Sequence, residues 1–190
     1  MEFTPILAGP ILRRVDAHSV TIWIATNQAF DVEAKIYDID TTNALPTKTR
    51  TTSIRAGQKL FIHLVQLNGV FPTDTLLGYN LFFNDGHLTS DLTSLGLISK
   101  NASHSITYGD LPYPTFFIPK KTTRNILYAS CRKFHGKGED ALAAGDKILQ
   151  NTRLNQDKRP HSLFLMGDQI YADNVADPLF PVIQTVAEIL

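Results

Sequence analysis

Three side chains that could bind a metal ion follow two short apolar runs of the sequence. Asp168 comes directly after Gly167, where the apolar run of residues 162–166 stops, and Tyr171 follows three residues later. Cys131, the single cysteine of the chain, ends the other run. Short apolar runs predict buried strands, and open α/β sheets bind ligands outside the carboxyl ends of their strands. A thiolate, a carboxylate and a phenolate together suit a trivalent or strongly Lewis-acidic ion better than Mg²⁺.

The segment between the two runs decides whether these side chains can meet. Residues 139–152 carry apolar side chains at helical spacing, so they predict a helix that faces a sheet. A strand, a helix and a strand in this order predict a right-handed crossover and two parallel strands. Neighbouring strands are about 4.8 Å apart, so we expect Cys131 and Asp168 to leave the same sheet edge side by side. Taken alone, the Gly-Asp-x-x-Tyr pattern is equally compatible with a structural turn.

Gly167-Asp168 with Tyr171 and Asp173 after it, and Cys131 upstream, resembles the PhoD-like alkaline phosphatases. These belong to the calcineurin-like metallophosphoesterases, and both motifs stand here in the order of that family. The resemblance implies that Cys131 and Tyr171 bind Fe³⁺ and that Asp168 bridges it to Ca²⁺. It implies a small-molecule phosphate ester as substrate, a phosphodiester or a monoester, hydrolysed by two metals and a metal-bound hydroxide.

The loop of residues 132–138 holds three cationic side chains and a histidine beside the expected site. Arg132 is nearest to Cys131, so it is the candidate for contact with a phosphate, together with N–H groups at the helix start. A solvated basic loop is the alternative. Asp173 and Asp177 could orient metal ligands, or they could stabilise turns.

The first part of the chain predicts an antiparallel β-sandwich of fibronectin or immunoglobulin type. Short strands with turn residues between them fill residues 6–118, and the polar run 49–54 suits an edge strand. We expect Trp23 and Tyr79 to fill the core, and His63 to be a satisfied or solvent-facing histidine. The fold class is therefore mixed: this sandwich, then the first βαβ part of an α/β metallophosphoesterase domain. PhoD-like enzymes also carry such a sandwich before the catalytic domain. The expected domains are residues 1–119 and 120–190.

Composition narrows the function classes. Apolar residues make up 43% of the 190 residues and charged ones 19%, which is ordinary for a soluble globular protein. A formal net charge of zero argues against a nucleic acid bound by charge. One cysteine excludes an intramolecular disulfide, and no signal peptide or transmembrane run is recognisable. The expected location is the cytoplasm, or outside the cell if the N-terminus has been trimmed.

The metal ligands within the sequence are fewer than the family uses. Its members take an Asn or Asp and histidines from later strands, whereas the nineteen residues after Tyr171 contain Asn174 and no histidine. We therefore expect an N-terminal piece of a longer phosphatase that is inactive alone, with Fe³⁺ and Ca²⁺ bound in the complete parent. The alternative is a non-catalytic β-sandwich binding module with a docking βαβ tail. Self-association through the unpaired sheet edge is possible in either case. An NTP-binding fragment is disfavoured because a phosphate-binding loop is missing.

Overall fold

The computed structural model describes residues 3–99, 104–120, 125–133, 136 and 138–190. The chain forms two compact units, one of Met1–Ile118 with Leu190 and one of Pro119–Ile189. The expected domain boundary, after residue 119, lies one residue from this division.

The first unit consists of two antiparallel sheets. Its strands are β1 (Ile6–Val15), β2 (Ser19–Thr26), β3 (Asp31–Asp38), β4 (Thr47–Arg55), β5 (Phe61–Gly69), β6 (Leu76–Asn84), β7 (Thr89–Asp91) and β8 (Thr115–Phe117). One sheet has the order β1-β2-β5-β4, and the other has the order β3-β6-β7, with β8 also paired to β6. This confirms the predicted antiparallel β-sandwich, with the polar run at a sheet edge as β4. The sequence pattern did not predict β7, which lies in a polar, turn-rich stretch.

The core lies between the two sheets and follows the alternation of the strands. Tyr79 is buried there, as predicted. The prediction for Trp23 was wrong: it is only partly buried, because it lies on the opposite face of β2 from Ile22 and Ile24. The buried apolar side chains that β2, β3, β5 and β6 contribute to this core are Val20, Ile22, Ile24, Val32, Ala34, Ile36, Val65, Leu67, Leu77, Tyr79, Leu81 and Phe83.

His63 is a buried histidine with both ring nitrogens satisfied. Its Nε2 lies 2.8 Å from Thr26 Oγ1 and its Nδ1 lies 2.8 Å from Ser53 Oγ. The Thr26 hydroxyl already donates to the Gln28 carbonyl at 2.7 Å, so it accepts from Nε2–H, and Ser53 donates to Nδ1. The neutral Nε2–H form of His63 therefore links three adjacent strands, β2, β5 and β4.

We expect acid to destabilise the sandwich through His63. Burial lowers the pKa of His63 below its ordinary value of 6.5, so the unfolded chain takes up this proton at a higher pH than the folded chain. The stability that His63 contributes is complete above about pH 6.5 and is lost as the pH falls below it. Urea unfolding of wild type and His63→Gln between pH 8 and pH 5 tests this. Parallel stability curves for the two proteins would contradict it.

The second unit contains β9 (Ile126–Ala129), α1 (Ala141–Thr152), β10 (Ser162–Leu165), a short 3₁₀ helix (Asp177–Leu179) and α2 (Phe180–Ile189). β9 and β10 pair in parallel, with Ala129 opposite Leu165. On α1, a side-chain carbon built at Gly145 would lie 3.6 Å from Leu127 on β9. The predicted strand, helix and strand are thus present. Among the described residues, no helix is long and apolar enough to cross a membrane.

Candidate metal centre

Two backbone hydrogen bonds continue the pairing of β9 and β10 beyond the ends of the strands. Met166 N–H donates to the Ala129 carbonyl, and Arg132 N–H donates to the Asp168 carbonyl, both at 2.7 Å. Parallel strands present their carboxyl ends at one edge of the sheet. The residues that follow β9 and β10 are therefore fixed beside one another, and Cys131 is a neighbour of Asp168.

The backbone at this edge adopts an unusual conformation on both strands. Cys131 has φ of 58° and Gly167 has φ of 74°, both in the left-handed region. Glycine reaches this region without cost, but a residue with a Cβ atom does not. A Cβ atom at position 167 would also lie 2.7 Å from Ser130 Oγ. Gly167 is therefore required by backbone conformation and by space, whereas Cys131 is held in a strained position of the kind that clusters at functional sites.

Replacing Gly167 with Ala should open the strand ends. The left-handed backbone alone costs on the order of 1–3 kcal/mol, and the contact with Ser130 adds to it. Hydrogen exchange of the Met166 and Arg132 amides should accelerate, since their bonds span the two strand ends. Gly138→Ala is the matched control, because a Cβ atom at position 138 meets nothing within 4 Å. Equal protection of both amides in the two variants would contradict this account.

The thiol of Cys131 is exposed and lies among hydrogen-bonding groups. Its sulfur is 3.2 Å from Ser130 Oγ. Hydrogen bonds from Ser130 and Tyr171 lower the pKa of Cys131 below its ordinary value, although the negative charge of Asp168 opposes this. The environment therefore favours the thiolate, which is the form that binds a metal ion.

The interaction with Cys131 also changes the pKa of Tyr171. Its pKa is raised, first because its hydroxyl bonds to Cys131, and further because the charges of Cys131, Asp168 and Asp173 disfavour a phenolate. The three donors predicted from the sequence therefore interact with one another, and the carboxylate of Asp173 acts on the same group. A bound cation would reverse this balance, since it favours the deprotonated forms of all these side chains.

The three candidate donors differ in chemical softness, and they are fewer than a metal ion normally requires. Thiolate is a soft ligand, while carboxylate and phenolate are hard oxygen ligands. Within the part of the chain that the structure describes, no group of three or more His, Cys, Asp and Glu side chains is placed to hold a metal ion. Of the three candidate donors, Cys131 and Asp168 belong to these residue types, and Tyr171 does not. By themselves these described donors do not form a complete metal centre.

Arg132 has a partner that the sequence analysis did not foresee. Its Nε lies 3.0 and 3.1 Å from the carboxylate oxygens of Asp140. Asp140 also accepts from Leu142 N–H as the N-cap of α1. The contact of Arg132 with a phosphate remains a prediction. It requires that the phosphate compete with Asp140 for the guanidinium. The helix predicted over residues 139–152 included Asp140, whereas Asp140 precedes α1 as its N-cap, so the helical pattern did not indicate this pairing.

The remaining residues considered in the sequence analysis add no described contact to Cys131, Asp168 and Tyr171. Phe134, His135 and Lys137 of the basic loop lie outside the described residues. Asp177 opens the 3₁₀ helix, followed by Pro178, in agreement with the turn alternative. A cleft of about 640 Å³ lies elsewhere, in the sandwich between Asn27 and Phe61, and it contains none of the three donors.

Comparison with known proteins reaches the sandwich but not the candidate metal centre. A family model described as a domain of unknown function (DUF7800) matches residues 3–92, just under half of the chain. The match covers β1 to β7 and ends before β8. No curated protein matches the chain.

Proposed function

We propose that this chain contributes metal ligands to a metal-dependent phosphoric ester hydrolase of the PhoD-like type. The observation that supports it is the convergence of Cys131, Asp168 and Tyr171 at one edge of a parallel strand pair. Cys131 stands far from Asp168 and Tyr171 in the sequence, and the effects of those two residues on its pKa require close approach. A structural turn after β10 needs neither the thiol nor the phenol.

The three residues have separate roles in this proposal. Cys131 and Tyr171 hold Fe³⁺, because anionic sulfur and oxygen donors stabilise a trivalent ion. Asp168 has two carboxylate oxygens and lies beside both, so it can be shared between Fe³⁺ and Ca²⁺. When bound, such a pair of ions supplies Lewis acidity toward the phosphoryl oxygens of the ester. Arg132 adds positive charge beside Cys131 for the phosphate of the substrate.

The described cluster supplies three donors, which is fewer than a centre of two metals uses. We therefore propose that further ligands come from outside the described residues and that this chain alone has little or no hydrolase activity. Metal binding, rather than turnover, is the property to measure.

Replacing Asp168 with Asn should weaken the binding of Fe³⁺ by about 10–100-fold, because the shared carboxylate loses its charge. Iron content after loading and dialysis, measured by elemental analysis, is the readout. Asp40→Asn, in an exposed turn of the sandwich, is the matched control and should bind as wild type. Wild type without retained iron, or equal loss in both variants, would refute the assignment.

A non-catalytic binding module is the second candidate. It is favoured by apolar side chains of the β9–β10 sheet that stay exposed: Ile126 is 53%, Tyr128 74% and Phe164 53% exposed. Parallel sheets are normally covered on both faces, so we expect a partner to cover this face. Packing of this face against a second copy would cover it, whereas self-association through the sheet edge would satisfy backbone groups only. Sedimentation that depends on protein concentration, in a protein that binds no iron, would favour this candidate.

A further inference from the structure

The outer face of the β1-β2-β5-β4 sheet carries a continuous apolar stripe. Strand register places Ile11 beside Trp23, Trp23 beside Leu64, and Ile62 beside Ile54. Trp23 and the neighbouring Ala25 on β2, and Leu64 and Ile62 on β5, alternate away from the core, so the two rows share one face. The stripe therefore crosses all four strands on the side opposite the sandwich core.

Much of this stripe is open to solvent. Ile11 is 47% exposed, Leu64 is 42% exposed and Ile54 is 62% exposed. An antiparallel sheet with one face on a core normally presents polar side chains on the other face. Contiguous exposed apolar patches on a folded protein mark interaction sites, and Trp is the residue most typical of their centres.

A polar row with an arginine at each end, the basic row, runs directly beside the stripe on the same face. Register places Arg50 beside Gln66, Gln66 beside Thr21, and Thr21 beside Arg14. Arg14 is paired with Asp16, at 3.2 Å. The charges of this sheet all have one sign, since its four strands contain no Asp or Glu. Its cationic residues are Arg13, Arg14, Lys48, Arg50 and Arg55.

The shape of the two features determines the kind of partner. Four strands about 4.8 Å apart make a stripe about 14 Å long, and two rows make it about 7 Å wide. These dimensions match the apolar face of about ten residues of α-helix laid across the strands. The basic row lies along one side of the stripe only, so the complementary helix carries its acidic residues along one flank.

We propose that this face is a docking surface for an acidic amphipathic helix of a protein partner. The apolar residues of that helix pack on Trp23, Leu64 and Ile54, and its carboxylates face Arg50. A second copy of this face would offer no carboxylate to the basic row, because the four strands contain no Asp or Glu, and unmatched like charges across an interface are unfavourable. The charge pattern therefore selects an acidic helix over a second copy of this chain.

Trp23 is the only tryptophan of the chain, and it reports directly on this surface. The probe is a synthetic helical peptide with leucines at i, i+3, i+4 and i+7 and glutamates along one flank. Its addition should shift Trp23 emission to shorter wavelength until saturation. The same peptide with lysines in place of the glutamates should bind at least about tenfold more weakly.

Two charge reversals test the orientation. Arg50→Glu should reverse the preference between the two peptides, while Lys35→Glu, on the outer face of the other sheet, should leave it unchanged. Both positions are exposed, and circular dichroism verifies folding. The proposal is overturned by equal binding of the two peptides or by no emission change with either. It is also overturned if Trp23 responds only to protein concentration, which would indicate a second copy, or only to anionic phospholipid vesicles.

Discussion

Iron-loaded protein in which Tyr171 is replaced by Phe should lose the phenolate charge-transfer band of the wild type. A phenolate bound to Fe³⁺ gives a charge-transfer band, and Tyr171 is the phenol whose pKa is raised by its interaction with Cys131. The phenylalanine ring keeps the size of the side chain and removes the single oxygen donor. The measurement is a visible spectrum after loading with Fe³⁺ and removal of free iron.

The matched control for this experiment is Tyr128→Phe. Tyr128 belongs to β9 and is 74% exposed, so its loss removes a phenol from the same unit without touching the proposed centre. Its spectrum should match the wild type. Cys131→Ser, in contrast, should shift the band and weaken iron retention, because sulfur and oxygen differ in softness. A band that survives Tyr171→Phe unchanged would remove Tyr171 from the ligand set and leave Cys131 and Asp168 to be tested alone.

Replacing Phe83 with Ala should destabilise the sandwich by about 3–5 kcal/mol. Phe83 is completely buried on β6 and meets Phe30 edge to face, with ring centroids 5.7 Å apart. The substitution removes this contact and leaves a cavity in a close-packed core. The free energy of unfolding in urea, with equal m values for the two proteins, is the measurement.

Phe82→Ala is the neighbouring control, with the same chemistry on the opposite face of β6. Phe82 is only partly buried and lies under the Lys35 ammonium, 5.1 Å from the ring centroid. A cation–π contact at such a site contributes about 0.5–1 kcal/mol, so Phe82→Ala should cost less than Phe83→Ala. If the two variants lose equal stability, the assignment of the core face of β6 is wrong.

Most elements of the fold could be predicted because their patterns are local. Alternation of Val20, Ile22 and Ile24 identifies a strand and its buried face from eight residues of sequence. Helical spacing identifies α1, and the apolar runs around it identify β9 and β10. β7 was missed because three residues, Thr89–Asp91, carry too short a pattern. β7 is a strand because it pairs with β6, and this pairing cannot be recognised from the sequence of β7 itself.

The meeting of Cys131 and Asp168 at one sheet edge was predictable for a related reason. A strand, a helix and a second strand allow few topologies, so Cys131 and Asp168 could be placed at one sheet edge before any coordinates. The contact of Arg132 with Asp140 was not predictable in the same way. Arg132 lies in a loop, and a long side chain in a loop has several charged groups within reach. The competition among them is decided by geometry.

The sequence by itself determined which residues form strands and helices and that a thiol, a carboxylate and a phenol follow β9 and β10. These properties depend on neighbours within a few positions, where periodicity and turn residues act. Only the tertiary structure decided that β5 lies between β2 and β4. That order places Trp23 beside Leu64 on the outer face of the sheet. It also places His63 within hydrogen-bonding distance of Thr26 and Ser53. The physical reason is that burial and charge environment depend on the strand across the sheet, which the local pattern of a single strand does not specify.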